Sequence, residues 1–143
     1  LQQVFTEPVS FTLDRATCGL IKAGTTIKGS ALERSTVTVT RNPNGTFNYK
    51  QYDEANGVAT DEKGAKYIFL YTNTAITESG VSLPKPKPPF AVSGIDFFQL
   101  IPIGTAGQPA YTVNLYFKGK VNADGSFTDL GTMADNNPAC DPI

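Results

Sequence analysis

Carboxylates and tyrosines are the side chains through which this sequence would do acid–base chemistry, because it contains no histidine and two cysteines. Without histidine, Ser-His-Asp and Cys-His nucleophilic catalysis as usually built is unavailable. The commonest zinc, copper and non-haem iron ligand sets are removed as well, and two distant cysteines cannot make a four-thiolate site. Neither a P-loop nor a dinucleotide-binding glycine fingerprint is present. Among the acids, Asp53, Glu54, Asp61 and Glu62, together with Asn56, fall close together in the chain. Calcium accepts such oxygen ligands, but the spacing does not match a calcium loop, and adjacent acids beside a turn are usually solvated. Asp96 sits among Ile95, Phe97 and Phe98. An acid in an apolar strand is a candidate catalytic group, although a solvent-facing position on the polar side is the simpler expectation. No cofactor or metal is expected.

The elements that must position these groups are strands. A chain of 143 residues fits one domain with a single core. Twelve basic residues balance 13 acidic ones, and charged residues make up 17% of the chain. That balance argues against nucleic acid or an anionic membrane surface as partner, since both need clustered Lys and Arg. No apolar run approaches the ~20 residues of a membrane span. Residues 4–13, VFTEPVSFTL, alternate cleanly, with Phe5, Val9, Phe11 and Leu13 on one face. Pro8 lacks an N–H, so this strand is bulged or lies at an edge.

Residues 25–41 read as one or two strands, followed by the turn Asn42-Pro43-Asn44-Gly45-Thr46 and a return strand, FNYKQY. A separate strand at about 56–60 turns at Asp61–Gly64 into AKYIFLYTNTAIT, which is apolar on both faces and therefore expected to be central. Residues 82–90, SLPKPKPPF, exclude helix and sheet interior, and a stiff crossover at 83–90 between two halves of one fold is the expected role. Strands at 94–103 and 110–121 lead to a second turn, Asn122–Ser126, built like the first. With no helical period anywhere, the chain reads as an all-β domain spanning 1–143. The expected form is an antiparallel β-barrel or two-sheet β-sandwich of about 8–10 strands.

Cys18 follows the first strand and Cys140 the last, and in an oxidising compartment they are expected to pair. Pairing would bring the ends of the terminal strands together. The first residue is Leu, and no charged, apolar leader is present, so a secreted, mature chain is the expectation. Asn44-Gly45-Thr46 matches the N-glycosylation acceptor pattern and is equally a good hairpin turn.

The segment FTEPVSFTL leading to Cys18, the stretch FFQLIPIGTAGQPAYTVNLYFKGKVNADGSFT and a cysteine near the C-terminus together resemble a loose group of short secreted bacterial all-β proteins of uncharacterised function. In that group a strand ending in L-I-G-x-G precedes P-x-[FY]-x-V and a V-N-A-[DN]-G turn. Here Pro102 interrupts the first motif, and the histidines often found before the turn are absent. The resemblance implies export and fold class, and implies no activity.

Three functions fit these residues. The first is a secreted or cell-surface, non-catalytic structural or adhesive subunit. It would self-associate into a filament by donating its N-terminal strand, with Val4, Phe5, Val9, Phe11 and Leu13 as the donor residues. The second is a barrel that binds a small apolar ligand between the stripes Tyr67/Phe69/Tyr71 and Tyr111/Val113/Leu115/Phe117, which otherwise simply fill the core. The third is a small-barrel cyclase-type enzyme, which needs the same cavity plus a buried Asp96, Glu78 or tyrosine. The lack of a catalytic constellation favours the first.

Overall fold

Where β-branched and aromatic residues alternate with Thr, Ser and Lys, the backbone is held extended with one face apolar. The computed structural model describes residues 1–79, 86–104, 109–131, 133–134 and 140–143. Six long strands form: β1 (Gln2–Leu13), β2 (Ile27–Arg41), β3 (Phe47–Asp61), β4 (Lys66–Ser79), β5 (Phe90–Pro102) and β6 (Tyr111–Val121). Three short ones follow: β7 (Phe127–Asp129), β8 (Met133–Ala134) and β9 (Asp141–Pro142). All pairings are antiparallel, in the order β1-β2-β3-β4-β5-β6-β7, with β8 and β9 lying against other stretches of β6. The described strands thus make one open antiparallel sheet, and the chain is all-β. Among the described residues no helix is long and apolar enough to cross a membrane.

Turn chemistry sets the register. In the β2–β3 hairpin Asn42 N–H donates to the Thr46 carbonyl (2.8 Å), and Gly45 adopts φ +87°. The Asn44 side-chain oxygen accepts from the Thr46 N–H and hydroxyl at 3.1 and 2.7 Å. The β6–β7 hairpin repeats this, with Asp124 accepting from Ser126 at 2.9 and 2.6 Å and Gly125 at φ +86°. Both turns therefore use a short side-chain acceptor to hold the corner and a glycine to complete it.

Two elements differ from the sequence reading, and a third settles a choice it left open. Residues 47–61 form a single strand, because nothing between Tyr52 and Asn56 supplies a left-handed position. Asp53 and Glu54 lie mid-strand, one buried on the inner face and the other facing outward, 3.7 Å from Arg34. The proline-rich segment joins β4 to its immediate neighbour β5, so it is a long hairpin connection and not a crossover between two halves. Residues 82–85 of it lie outside the described residues. Pro8 is accommodated at an edge: β1 is the outermost strand and stays in unbroken register with β2 from Gln2–Thr38 to Leu13–Ile27.

The sheet curls on itself. The Phe11 ring on β1 packs edge-on against Phe69 of β4 (4.7 Å) and Phe98 of β5 (5.4 Å). Ile27, Ala59, Tyr67, Leu100 and Tyr111 complete the core at this end. The β1–β2 loop folds in over it and buries Cys18 and Ile21. It is shaped by Asp14, whose carboxylate accepts from the Ala16 and Thr17 N–H groups. Cys18 and Cys140 are disulfide-bonded, with Cα atoms 5.8 Å apart. The bond seals one end of the curl.

Chain-entropy arguments give a loop of this length about 4–5 kcal/mol of stabilisation. Reduction is therefore expected to lower the unfolding free energy by about that amount. Urea unfolding with and without reductant checks it, and coincident midpoints would refute it.

Candidate functional site

Strand alternation decides which side chains face the interior. Counting in steps of two from the core residues Phe11, Ile27, Ala59, Phe69, Leu100 and Tyr111 reaches polar groups on every long strand except β6. These are Glu7, Glu33 and Ser35, Asp53, Tyr71 and Asn73, and Asp96. The register lines them up. Ser35 stands beside Asp53, Asp53 beside Asn73, and Asn73 beside Asp96. In the next row Glu7 stands beside Glu33, and Tyr71 beside Phe98. A polar belt thus crosses the concave face just above the aromatic core.

The belt is partly self-satisfied. Tyr71 hydroxyl donates to Asp96 at 2.8 Å, and Asn73 amide N–H donates to the same carboxylate oxygen. Gln51 amide reaches both oxygens of buried Asp53 at 2.9 Å. Asn73 Oδ1 is occluded and has no hydrogen-bond partner among the described residues. Burial, followed by the charges of Asp53, Glu7 and Asp96, holds the Glu33 carboxyl above its ordinary value. Burial, then the bond to Asp96, pushes the Tyr71 hydroxyl up as well. In the core, burial and hydrogen bonding to Asp61 raise Tyr67 to about 12.

Two cavities flank the belt. Toward the core, a space of about 250 Å³ is lined by Phe11, Glu33, Phe69, Tyr71 and Phe98, among others. Toward the open end, a cavity of about 780 Å³ takes its walls from β1 through β7 and from Pro86 and Pro88. Phe5, Val37, Tyr49, Phe90, Val92 and Phe127 supply its apolar surface, while Glu7, Ser35 and Gln51 lie on the side of the belt.

Asp96 therefore occupies a different place from the one expected of it. It shares the face of Phe98 and Leu100, while Ile95 takes the exposed outer face. Glu78 pairs between Asn48 and Ala91, on the alternation opposite to Tyr71 and Asn73. The two aromatic stripes divide: Tyr67, Phe69 and Tyr111 are core, and Tyr71 reaches the smaller cavity. The carboxylates considered for calcium have other work. Asp61 accepts from the Lys63 and Ala65 N–H groups and the Tyr67 hydroxyl, and Glu62 accepts from the Thr26 N–H. Asn44 is exposed at its hairpin tip. Of the N-terminal residues, Phe5, Val9, Phe11 and Leu13 face inward, Val4 faces out, and all pair with β2. Glu7 and Glu33 were not singled out in the sequence, and Asp53 was considered only for calcium, although their parity with nearby core residues marks all three as inward.

No family model, curated protein or solved structure matches the chain.

The raised Glu33 carboxyl means that the folded state holds this proton more tightly than the unfolded chain. Its contribution favours folding at acid pH and is lost as pH rises from 4.5 through the raised value. Glu33→Gln should therefore be more stable than the parent near neutrality, with the gain vanishing on acidification below that ordinary value. Thermal melts of both proteins across this range check the sign; an equal difference at every pH would contradict it.

Proposed function

We propose that the curled sheet acts as a half-closed barrel and binds a small, largely apolar molecule in its interior. The observation that carries this reading is the larger cavity. At about 780 Å³ it lies within the range typical of small-molecule sites, which are mostly apolar with a few convergent polar groups. Two of its lining aromatics, Phe5 and Phe127, are 47% and 53% exposed, leaving apolar surface at the rim for a ligand to cover. The opposite end is closed by the core and the disulfide, so the cavity has a floor. A disulfide is also consistent with an extracellular location.

Strand donation is the competing reading. It would require β1 to leave a ladder that engages β2 along its whole length, from Gln2 to Leu13. Ligand binding requires no such exchange, and it uses the polar residues that donation leaves without a role.

The test is titration with the neutral fluorophore N-phenyl-1-naphthylamine, aided by the absence of tryptophan from the chain. Saturable one-to-one binding is expected. Ala75 lines the cavity opposite Gly94, so Ala75→Phe would fill space there. This variant should bind about tenfold more weakly, a loss of ~1.4 kcal/mol, with its melting temperature little changed. Unsaturable binding, or an affinity indifferent to Ala75→Phe in a folded variant, would reject the reading.

A further inference from the structure

The two faces of the sheet carry opposite charge. Counting in twos along the six long strands places Lys28, Arg34, Lys50, Lys66, Lys118 and Lys120 on the outer alternation, against two acids, Glu54 and Glu78. The inner alternation of the same strands holds five acids, Glu7, Glu33, Asp53, Asp61 and Asp96, and one cation, Arg41. The near-neutral balance of the whole chain therefore conceals an outer face of net positive charge, and it does not exclude an anionic surface as partner for that face. Glu54 lies 3.7 Å from Arg34, and among the described residues the five outer lysines have no ion-pair partner.

Apolar side chains stand between these lysines. The register runs Lys28, Thr60, Lys66 across one end of the outer face and Lys50, Ile76, Ser93, Lys118 across the other. Beside the first row lie Val58, Ile68 and Ile101, and beside the second lie Tyr52, Thr74, Ile95 and Tyr116. All of these but Thr74 are exposed, as is Ile76. Large exposed apolar patches rimmed by polar residues mark interaction sites. At the second row a groove of about 340 Å³ is lined by Ile76, Ile95, Tyr116 and Lys118, among others. Tyr52 precedes Lys50 in stepping outward along β3, and Tyr116 precedes Lys118 along β6. Apolar side chain, then tyrosine, then lysine is the order in which acyl chains, the interfacial layer and lipid phosphates receive such groups. A second copy of this face would oppose these lysines with its own, and like charges across an interface disfavour that pairing. We propose that the outer face of β3 to β6 docks on an anionic lipid bilayer, with Tyr52, Ile76, Ile95 and Tyr116 entering the interface and Lys50 and Lys118 lying on lipid phosphates. The docking face is opposite to the cavity, and it does not depend on ligand binding there.

Co-sedimentation of the intact protein with vesicles of phosphatidylcholine, alone or mixed equally with phosphatidylglycerol, tests this. The anionic vesicles should bind at least about tenfold more tightly at low salt, and added salt should erase most of the difference. Lys50→Gln combined with Lys118→Gln should weaken anionic binding by roughly thirtyfold. Ile76→Ser, at an exposed position, should weaken it by about fivefold. Arg41→Gln and Ala75→Phe change the inner alternation and should leave it unaltered. Thermal melts establish that each variant is folded. No vesicle binding, equal binding to both compositions, or indifference to the lysine pair or to Ile76→Ser in folded variants would overturn the proposal. Binding of soluble polyglutamate as tightly as of the anionic vesicles would also overturn it, in favour of an acidic polypeptide.

Discussion

In a flat sheet, neighbouring strands are about 4.8 Å apart, so β1 and β5 would stand roughly 19 Å from each other. The rings of Phe11 and Phe98 are instead 5.4 Å apart, with Phe69 wedged 4.7 Å from Phe11. This contact between strands that are not neighbours gives the sheet an inside. Without it the apolar face of the meander would lie open to water, and the rows of side chains on that face would diverge. The edge-to-face geometry contributes about 0.5–1.5 kcal/mol per pair beyond area burial. Its larger effect is geometric, because it sets how far the remaining strands must curl.

The interior is graded along its length as a result. At the sealed end Ile21, Ile27, Tyr67, Leu100 and Tyr111 exclude water almost completely. In the middle, where the strands still converge, carboxylates and amides meet across rows. At the far end Phe5 and Phe127 are half exposed and the walls stand apart. Polar groups inside a β fold are costly unless paired or reachable by solvent or ligand. Here they sit at the transition between closed core and open cavity, where Tyr71 and Asn73 donate to Asp96, Gln51 donates to Asp53, and Glu7 and Glu33 border the cavities.

Much of this architecture was legible in the sequence. The alternation of VFTEPVSFTL, the two Asn-x-x-Gly turns and the pairing of Cys18 with Cys140 follow from local rules of strand, turn and disulfide chemistry. Continuity through Asp53 and Glu54 was not, because adjacent acids look like a turn until neighbouring strands are known to hold them. Asp96 was misplaced for a related reason. In GIDFFQLIPI both faces carry apolar residues, so alternation alone does not say which is concave. The belt could have been found by counting in twos from Phe11 to Glu7 and from Tyr49 to Asp53. What the sequence lacked was the curl that makes those positions meet.

The crosslink also fixes how the molecule carries mechanical load. Tension applied at the two ends of the chain enters through β1, reaches Cys18, and crosses the sulfur bridge to Cys140. The 122-position span between the two cysteines is bypassed, and with it β2 through β8. Among the long strands only β1 lies in the line of force, and its ladder to β2 would yield first. The cavity walls contributed by β2 to β6 would stay folded behind the covalent shunt, having lost one side and its Phe11 keystone.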